Sequence, residues 1–149
     1  MRVFEVMSEA VQTVSPAQAA AEAGELMRRA RIHHLVVMDK SRVVGILSDR
    51  DLKGRGAGAR AKQTVADVMT RNVVTVRSRD TIRSVANVMR GRTIGCVPVV
   101  EGRRLAGIVT VTDLLDLLGG GADRPARPSR RTLSYKVPHR KKHRAGGAW

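Results

Sequence analysis

Aromatic side chains are nearly missing from this chain: Phe4, Tyr135 and Trp149 are all it has. A core must therefore be assembled from Val, Ile, Leu, Met and Ala. The aromatic interleaving of a base-stacking surface is lacking too. Cysteine is reduced to Cys96, which excludes an internal disulfide and a cysteine-built metal cluster. Its place in the apolar stretch 94–100 makes it a buried thiol rather than a reactive one. No run approaches the roughly 18 apolar residues of a membrane-spanning helix. The N-terminus lacks the basic segment and apolar core of a secretory signal, so the expected location is cytoplasmic. Acidic residues are also short, 13 against 28 Lys and Arg, which leaves a formal charge of +15. The excess is densest at the end, where residues 119–149 hold nine Lys or Arg and one Asp.

What is present is a repeated phrase. Residues 42–52 read Arg-Val-Val-Gly-Ile-Leu-Ser-Asp-Arg-Asp-Leu, and residues 104–114 read Arg-Leu-Ala-Gly-Ile-Val-Thr-Val-Thr-Asp-Leu. The offset of 62 extends beyond them. Val6-Met7 meets Val68-Met69, Thr13-Val14 meets Thr75-Val76, and Met27-Arg28 meets Met89-Arg90. Between positions 3 and 52, fifteen residues are identical to their partner 62 places on, with no gap. A period of that size reads as a duplicated supersecondary unit. The length of 149 residues suits two small units that need each other. The boundaries expected are a first repeat at 1–56, a basic flexible linker at 57–63, a second repeat at 64–118 and a basic, mostly disordered tail at 119–149.

Each repeat has the same expected order: a short leading helix, a strand, a helix, two strands and a closing helix. The second leading helix is marked by the capping box Thr64-Val65-Ala66-Asp67. Strands are expected at 11–14 and 73–76. Ser15-Pro16-Ala17-Gln18 has the pattern of a helix start, with that helix running to about Ala30. Its counterpart carries the stripe Ile82, Val85, Ala86 and Met89 and is expected to end near Gly91. Hairpins follow at 35–47 and 97–109, and closing helices begin at Ser48 and Thr110.

Ser48-x-x-Asp51 and Thr110-x-x-Asp113 fit a capping box, a structural reading that stabilises each helix by about 0.5–2 kcal/mol. The same geometry can serve chemistry. A strand leading directly into a helix N-terminus offers amides and a hydroxyl to a phosphate. An aspartate one turn in can accept hydrogen bonds from ribose hydroxyls. Gly45 and Gly107 would let such a ligand approach the backbone.

Taken with Val-x-x-Val-Met at each start, Thr-Val before each long helix and Val-Pro-Val-Val at 97–100, these phrases resemble the CBS domain. The pair resembles a tandem CBS (Bateman) module over residues 1–118, in a standalone protein of bacterial type. The resemblance implies an α+β fold of two βαββα repeats and a homodimer. It implies a regulatory, non-catalytic role in energy sensing or signal transduction. The ligand it implies is an adenosine compound, AMP, ADP, ATP or S-adenosylmethionine, in clefts between the repeats, with no catalytic cofactor. Ser48 and Thr110 would contact phosphate, and Asp51 and Asp113 the ribose. Thr13, Thr75, Leu35 and Val97 would border the adenine. The first copy departs from the pattern, with Val36 where the second has Pro98 and His33-His34 where it has Gly95-Cys96.

Arg50 and Lys53 follow the first site closely and are candidates for polyphosphate contact, the alternative being a solvated basic loop. His33 and His34, adjacent on a strand, face opposite ways and cannot jointly hold a metal. His139 and His143 lack neighbouring ligands, and no metal site is expected. No nucleophile–base arrangement is legible, so catalysis is not expected. The alternative function lies in the tail. Arg130, Arg131, Arg140, Lys141, Lys142 and Arg144 form an arm for nucleic acid or an acidic protein, with the repeats as a dimerisation scaffold.

Overall fold

The computed structural model describes residues 1–53 and 62–119. Residues 57–61 of the linker expected at 57–63, and residues 120–149 of the tail expected at 119–149 with its six candidate cations and two histidines, lie outside the described residues. The fold is α+β, in two compact units. Among the described residues, one is built from residues 12–73, the other from residues 1–11 together with 74–119.

In the unit of residues 12–73, β1 (Thr13–Val14) pairs parallel with β2 (His34–Asp39), which pairs antiparallel with β3 (Arg42–Ser48). Helix α1 (Ala20–Ala30) makes the crossover between the parallel strands, and α2 (Asp49–Leu52) continues directly from β3. A short helix, α3 (Val65–Val68), completes the unit. Its core is aliphatic, as the scarcity of aromatics requires: Leu35, Val37 and Leu47 are fully buried against Ala20, Ala23, Leu26 and Met27 of α1.

The other unit repeats the plan. Helix α4 (Ile82–Arg92) precedes the antiparallel hairpin of β4 (Cys96–Glu101) and β5 (Arg104–Thr110), and α5 (Val111–Leu118) follows. Val85, Val97, Val99 and Val109 are fully buried, and Val3, in a single 3-10 turn at Val3–Glu5, is buried with them. The two hairpins share even their irregularity, a register shift at Val37/Met38 and again at Val99/Val100.

The leading segment of each repeat packs on the hairpin of the other. Ser8 and Ile108 exchange backbone hydrogen bonds of 2.9 and 3.0 Å, and Thr70 and Ile46 do the same at 2.9 and 3.0 Å. Sequence repeat and compact unit are therefore offset at the N-terminus.

Several expected boundaries differ, first the strand expected at 11–14, which is Thr13–Val14 alone. The helix signalled at Ser15 begins at Ala20, because the carbonyls of Pro16 and Gln18 accept the amides of Ala66 and Val65, and Ala20 donates to Gln63. Residues 15–18 form a turn instead, with the Ser15 amide bonded to Gln18 Oε1 at 2.8 Å. The strand expected at 73–76 is a single parallel bridge of Val76 to Val99. The helix expected to stop near Gly91 passes through it to Arg92, and Thr93 takes the left-handed conformation at φ 54°. The equivalent residue in the first repeat, Arg31, does the same at φ 57°.

Candidate functional site

Each repeated phrase places its hydroxyl residue at the end of a strand and its aspartate in the first turn of the next helix. The capping boxes are formed in full. The Ser48 amide donates to Asp51 Oδ2 at 2.8 Å, and the Asp51 amide returns to Ser48 Oγ at 3.4 Å. At the second start, the Thr110 amide donates to Asp113 Oδ2 at 2.9 Å, and the Asp113 amide returns to Thr110 Oγ1 at 3.2 Å. At the second start the Thr110 hydroxyl also donates to Asp113 Oδ2, at 3.1 Å. To donate to a phosphate, Thr110 must exchange that bond for the ligand. Asp113 is buried, whereas Asp51 is half-buried.

A third box shows what a cap alone amounts to. Thr64 donates to Asp67 Oδ2 at 2.8 Å from its amide and 3.1 Å from its hydroxyl, while the Asp67 amide goes to the Thr64 carbonyl at 3.0 Å. The two bonds to Oδ2, the backbone one first, hold the Asp67 carboxyl below its ordinary value. Position distinguishes the other two. In β2, His34 stands directly across from Ser48, and in β4, Cys96 stands across from Thr110. Thr13, Leu35, Ser48 and Asp51 all belong to one unit, and Thr75, Val97, Thr110 and Asp113 to the other. Thr13 and Thr75 are exposed. Leu35 and Val97 are fully buried in the two cores, so any part they take beside an adenine is through their backbone.

The repeated glycines have an occupant from the chain itself. A Cβ on Gly45 would come 2.5 Å from Met69 Sδ and 3.0 Å from the Thr70 carbonyl oxygen. On Gly107 it would come 2.8 Å from both Met7 Sδ and the Ser8 carbonyl oxygen. The Val-Met phrase of one repeat is thus what approaches the glycine of the other. The expectation that a ligand uses that space is corrected accordingly.

Around the first start the charges are ordered by Asp49, a residue that the sequence reading passed over although its counterpart is Val111. Its Oδ2 lies 2.8 Å from His33 Nδ1 and 3.8 Å from Lys53 Nζ. The His33 hydrogen bond holds the Asp49 carboxyl below its ordinary value. Lys53 is therefore drawn toward Asp49, while Arg50 is exposed. Burial pushes the pKa of His34 down from its ordinary 6.5, an effect the nearby Asp49 only partly offsets. Cys96 is buried, and burial pushes its thiol up to about 12, which leaves it protonated and inert. Among the described residues no cluster of metal-ligating side chains occurs, and no helix is long and apolar enough to cross a membrane.

The two copies of this strand-to-helix start lie within residues 3–57 and 65–120, which match the CBS domain. The chain belongs to the CBS-domain family. Its CBS pair is similar to that of protein MJ0100, solved in complex with methylthioadenosine and S-adenosyl-L-methionine. The two are 33% identical with a TM-score of 0.73, over 80% of this chain and 100% of the other. Among curated proteins, the chain is 38% identical over 101 residues to L-aspartate semialdehyde sulfurtransferase of Methanocaldococcus jannaschii. That match covers 66% of this chain and 19% of the relative, so the CBS pair spans about a fifth of that protein. It is 30% identical over 114 residues to the CBS domain-containing protein YhcV of Bacillus subtilis, covering 75% of this chain and 81% of YhcV. A CBS pair is a regulatory module, and the relatives named as enzymes carry it beside other sequence.

Proposed function

We propose that this CBS pair is a non-catalytic sensor that binds an adenosine-containing ligand, AMP, ADP, ATP or S-adenosylmethionine. The ligand is held at the helix starts Ser48–Asp51 and Thr110–Asp113. The observation that carries the proposal is the completeness of both starts: hydroxyl, carboxylate and helix N-terminus are assembled twice in the same geometry. Phosphate or a sulfonium-side carboxylate would meet the hydroxyl and the positive end of the helix. The ribose hydroxyls would donate to the aspartate carboxylate. The ligands bound by the MJ0100 pair, both adenosine compounds, support this class. Arg50 and Lys53 are the side chains that would favour a polyphosphate over S-adenosylmethionine at the first start. A homodimer is part of the proposal, since it would let ligand state alter an assembly that a partner can read.

Ligand-dependent thermal unfolding separates binding from capping. Loss of a cap lowers stability by about 1 kcal/mol whether or not ligand is present. A ligand that binds only the native state adds stability as its concentration rises above Kd. Asp51→Ala and Asp113→Ala should each abolish the ligand-induced rise in Tm from their own site. An intact rise in both variants would return the two aspartates to capping alone.

A second reading rests on composition. The nine Lys or Arg in 119–149 suit a nucleic-acid partner. It predicts salt-sensitive binding that disappears when residues 122–149 are deleted, with a slope that grows by roughly 0.9 per duplex phosphate neutralised.

A further inference from the structure

The two units build one corner in the same way and furnish it differently. In the unit of residues 1–11 and 74–119, the amides of Val3 and Phe4 donate to the carbonyls of Asp80 and Ser78, at 2.9 and 3.0 Å. In the unit of residues 12–73, Val65 and Ala66 donate to Gln18 and Pro16, at 2.8 and 2.9 Å. The Arg77 amide closes its turn on Asp80 Oδ2 as the Ser15 amide does on Gln18 Oε1, each at 2.8 Å. The shared backbone makes no demand on the side chains. Yet Arg2, Phe4, Arg77, Arg79 and Arg83 stand where the other corner has Thr64, Ala66, Ser15, Ala17 and Ala21.

All five are exposed, Phe4 by 51%. Phe4 bonds to Ser78, between Arg77 and Arg79, and Arg2 donates to the Arg79 carbonyl at 3.1 Å. Ser78 in turn donates to Glu101 at 2.6 Å, and Arg104 stands across the hairpin from Glu101 with Arg103 beside it. Six arginines thus share the corner with three carboxylates, Glu5, Asp80 and Glu101. The equivalent residues, at 15–21, 39–42 and 64–67, hold two cations and two carboxylates. The three carboxylates each take a backbone amide, from Arg2, Arg77 and Ser78. Among the described residues no ion pair joins one of them to a guanidinium. Glu101 offsets part of the charge of Arg77 and Arg79, but a positive excess remains here and none at the other corner.

We infer that this corner binds single-stranded nucleic acid, the arginines holding phosphates and one base stacking on Phe4. Every cation that distinguishes the corner is arginine, whose planar fork takes a phosphate through two hydrogen bonds and can lie flat on a base. Phe4 supplies the exposed ring, anchored by Val3 and Val6 in the core. With no row of aromatics, one base is stacked and the remaining contact is electrostatic. A bilayer needs a wider apolar face than Met1 and Phe4 present, and a duplex keeps its bases from the ring. The corner lies at the Glu101–Arg104 end of the hairpin, whereas Thr110 ends β5 roughly 20 Å away. It is therefore separate from the adenosine site and from the tail.

The test titrates the full chain with a fluorescent single-stranded oligouridylate, which carries no adenosine for the helix starts. A duplex of the same length and vesicles of phosphatidylserine and phosphatidylcholine are titrated alongside, each over a range of salt. Arg77→Ser/Arg79→Ala/Arg83→Ala and Phe4→Ala install the residues of the other corner, so the circular dichroism should not change. The wild type should prefer the single strand. The triple variant should bind it at least about tenfold more weakly, with a log-log salt slope lower by roughly 2, at about 0.7 per phosphate. Phe4→Ala should weaken binding about tenfold with the slope unchanged. Arg77→Lys/Arg79→Lys/Arg83→Lys, which keeps the charge, should keep the slope. Unchanged affinity and slope in the triple variant would assign any binding to the tail and overturn the inference. So would no binding at all, no effect of Phe4→Ala, or binding to duplex or vesicles as tight as to the single strand. None of these results bears on the adenosine reading.

Discussion

Arg31 and Thr93 hold left-handed conformations at the same point of the two repeats, just past α1 and α4. Both close their helix in the same way. Ile32 donates to the Met27 carbonyl and Ile94 to the Met89 carbonyl, each at 3.0 Å, as in a Schellman motif. Glycine usually fills that position, because an L side chain there costs roughly 1–2 kcal/mol. Glycine's greater freedom in the unfolded chain offsets about half of this gain. Thr93→Gly is therefore expected to stabilise the protein by about 0.5–1 kcal/mol, read as a higher urea midpoint at unchanged slope. A second residue-level expectation concerns pH. The pKa of His34 is lowered in the folded chain, chiefly by burial, so the unfolded chain takes up the proton first. Stability is then fully present above the ordinary value of 6.5 and declines as pH falls through the depressed native value. Chemical denaturation across that range should show the decline in the wild type and a flatter profile in His34→Gln.

The elements that could be read from the sequence are those specified by local chemistry. Capping boxes at Ser48, Thr64 and Thr110, the stripe through Ile82 and Met89, and both hairpins needed only neighbouring residues to be recognised. The misplaced boundaries depend on distant ones. The Ser15 start carries every local sign of a helix, but Pro16 and Gln18 have their carbonyls taken by α3, some fifty residues on. Residues 73–76 have strand composition, but only Val76 meets a partner. Gly45 and Gly107 were legible as positions of close approach, though not as positions approached by methionine. That packing yields an expectation at the level of the hairpin. In Gly107→Ala the new methyl meets the Ser8 carbonyl oxygen at 2.8 Å, and backbone cannot swing aside as Met7 can. The variant should lose about 1–3 kcal/mol, the usual range for overpacking. Its amide exchange should rise along β5, and an unchanged exchange pattern would contradict the packing described.

At the scale of the whole molecule, two repeats have exchanged their leading segments, so neither hairpin is completed by its own repeat alone. The four candidate contacts at each helix start nevertheless stay within a single unit. This lets each aspartate be tested separately. The candidate site was legible because hydroxyl and carboxylate sit three residues apart in both copies. Asp49 was not, because its part is defined by His33, sixteen residues away. The central claim is that both starts hold an adenosine compound, and calorimetric titration of ligand-free protein tests it most directly. AMP, ADP, ATP and S-adenosylmethionine would be titrated in turn into wild type, Asp51→Ala and Asp113→Ala. The account predicts saturable binding of at least one of them at up to two sites per chain, with one site lost in each variant. Absence of heat and of saturation with all four, in folded protein shown to carry no bound nucleotide, would contradict it and leave Ser48–Asp51 and Thr110–Asp113 as helix caps.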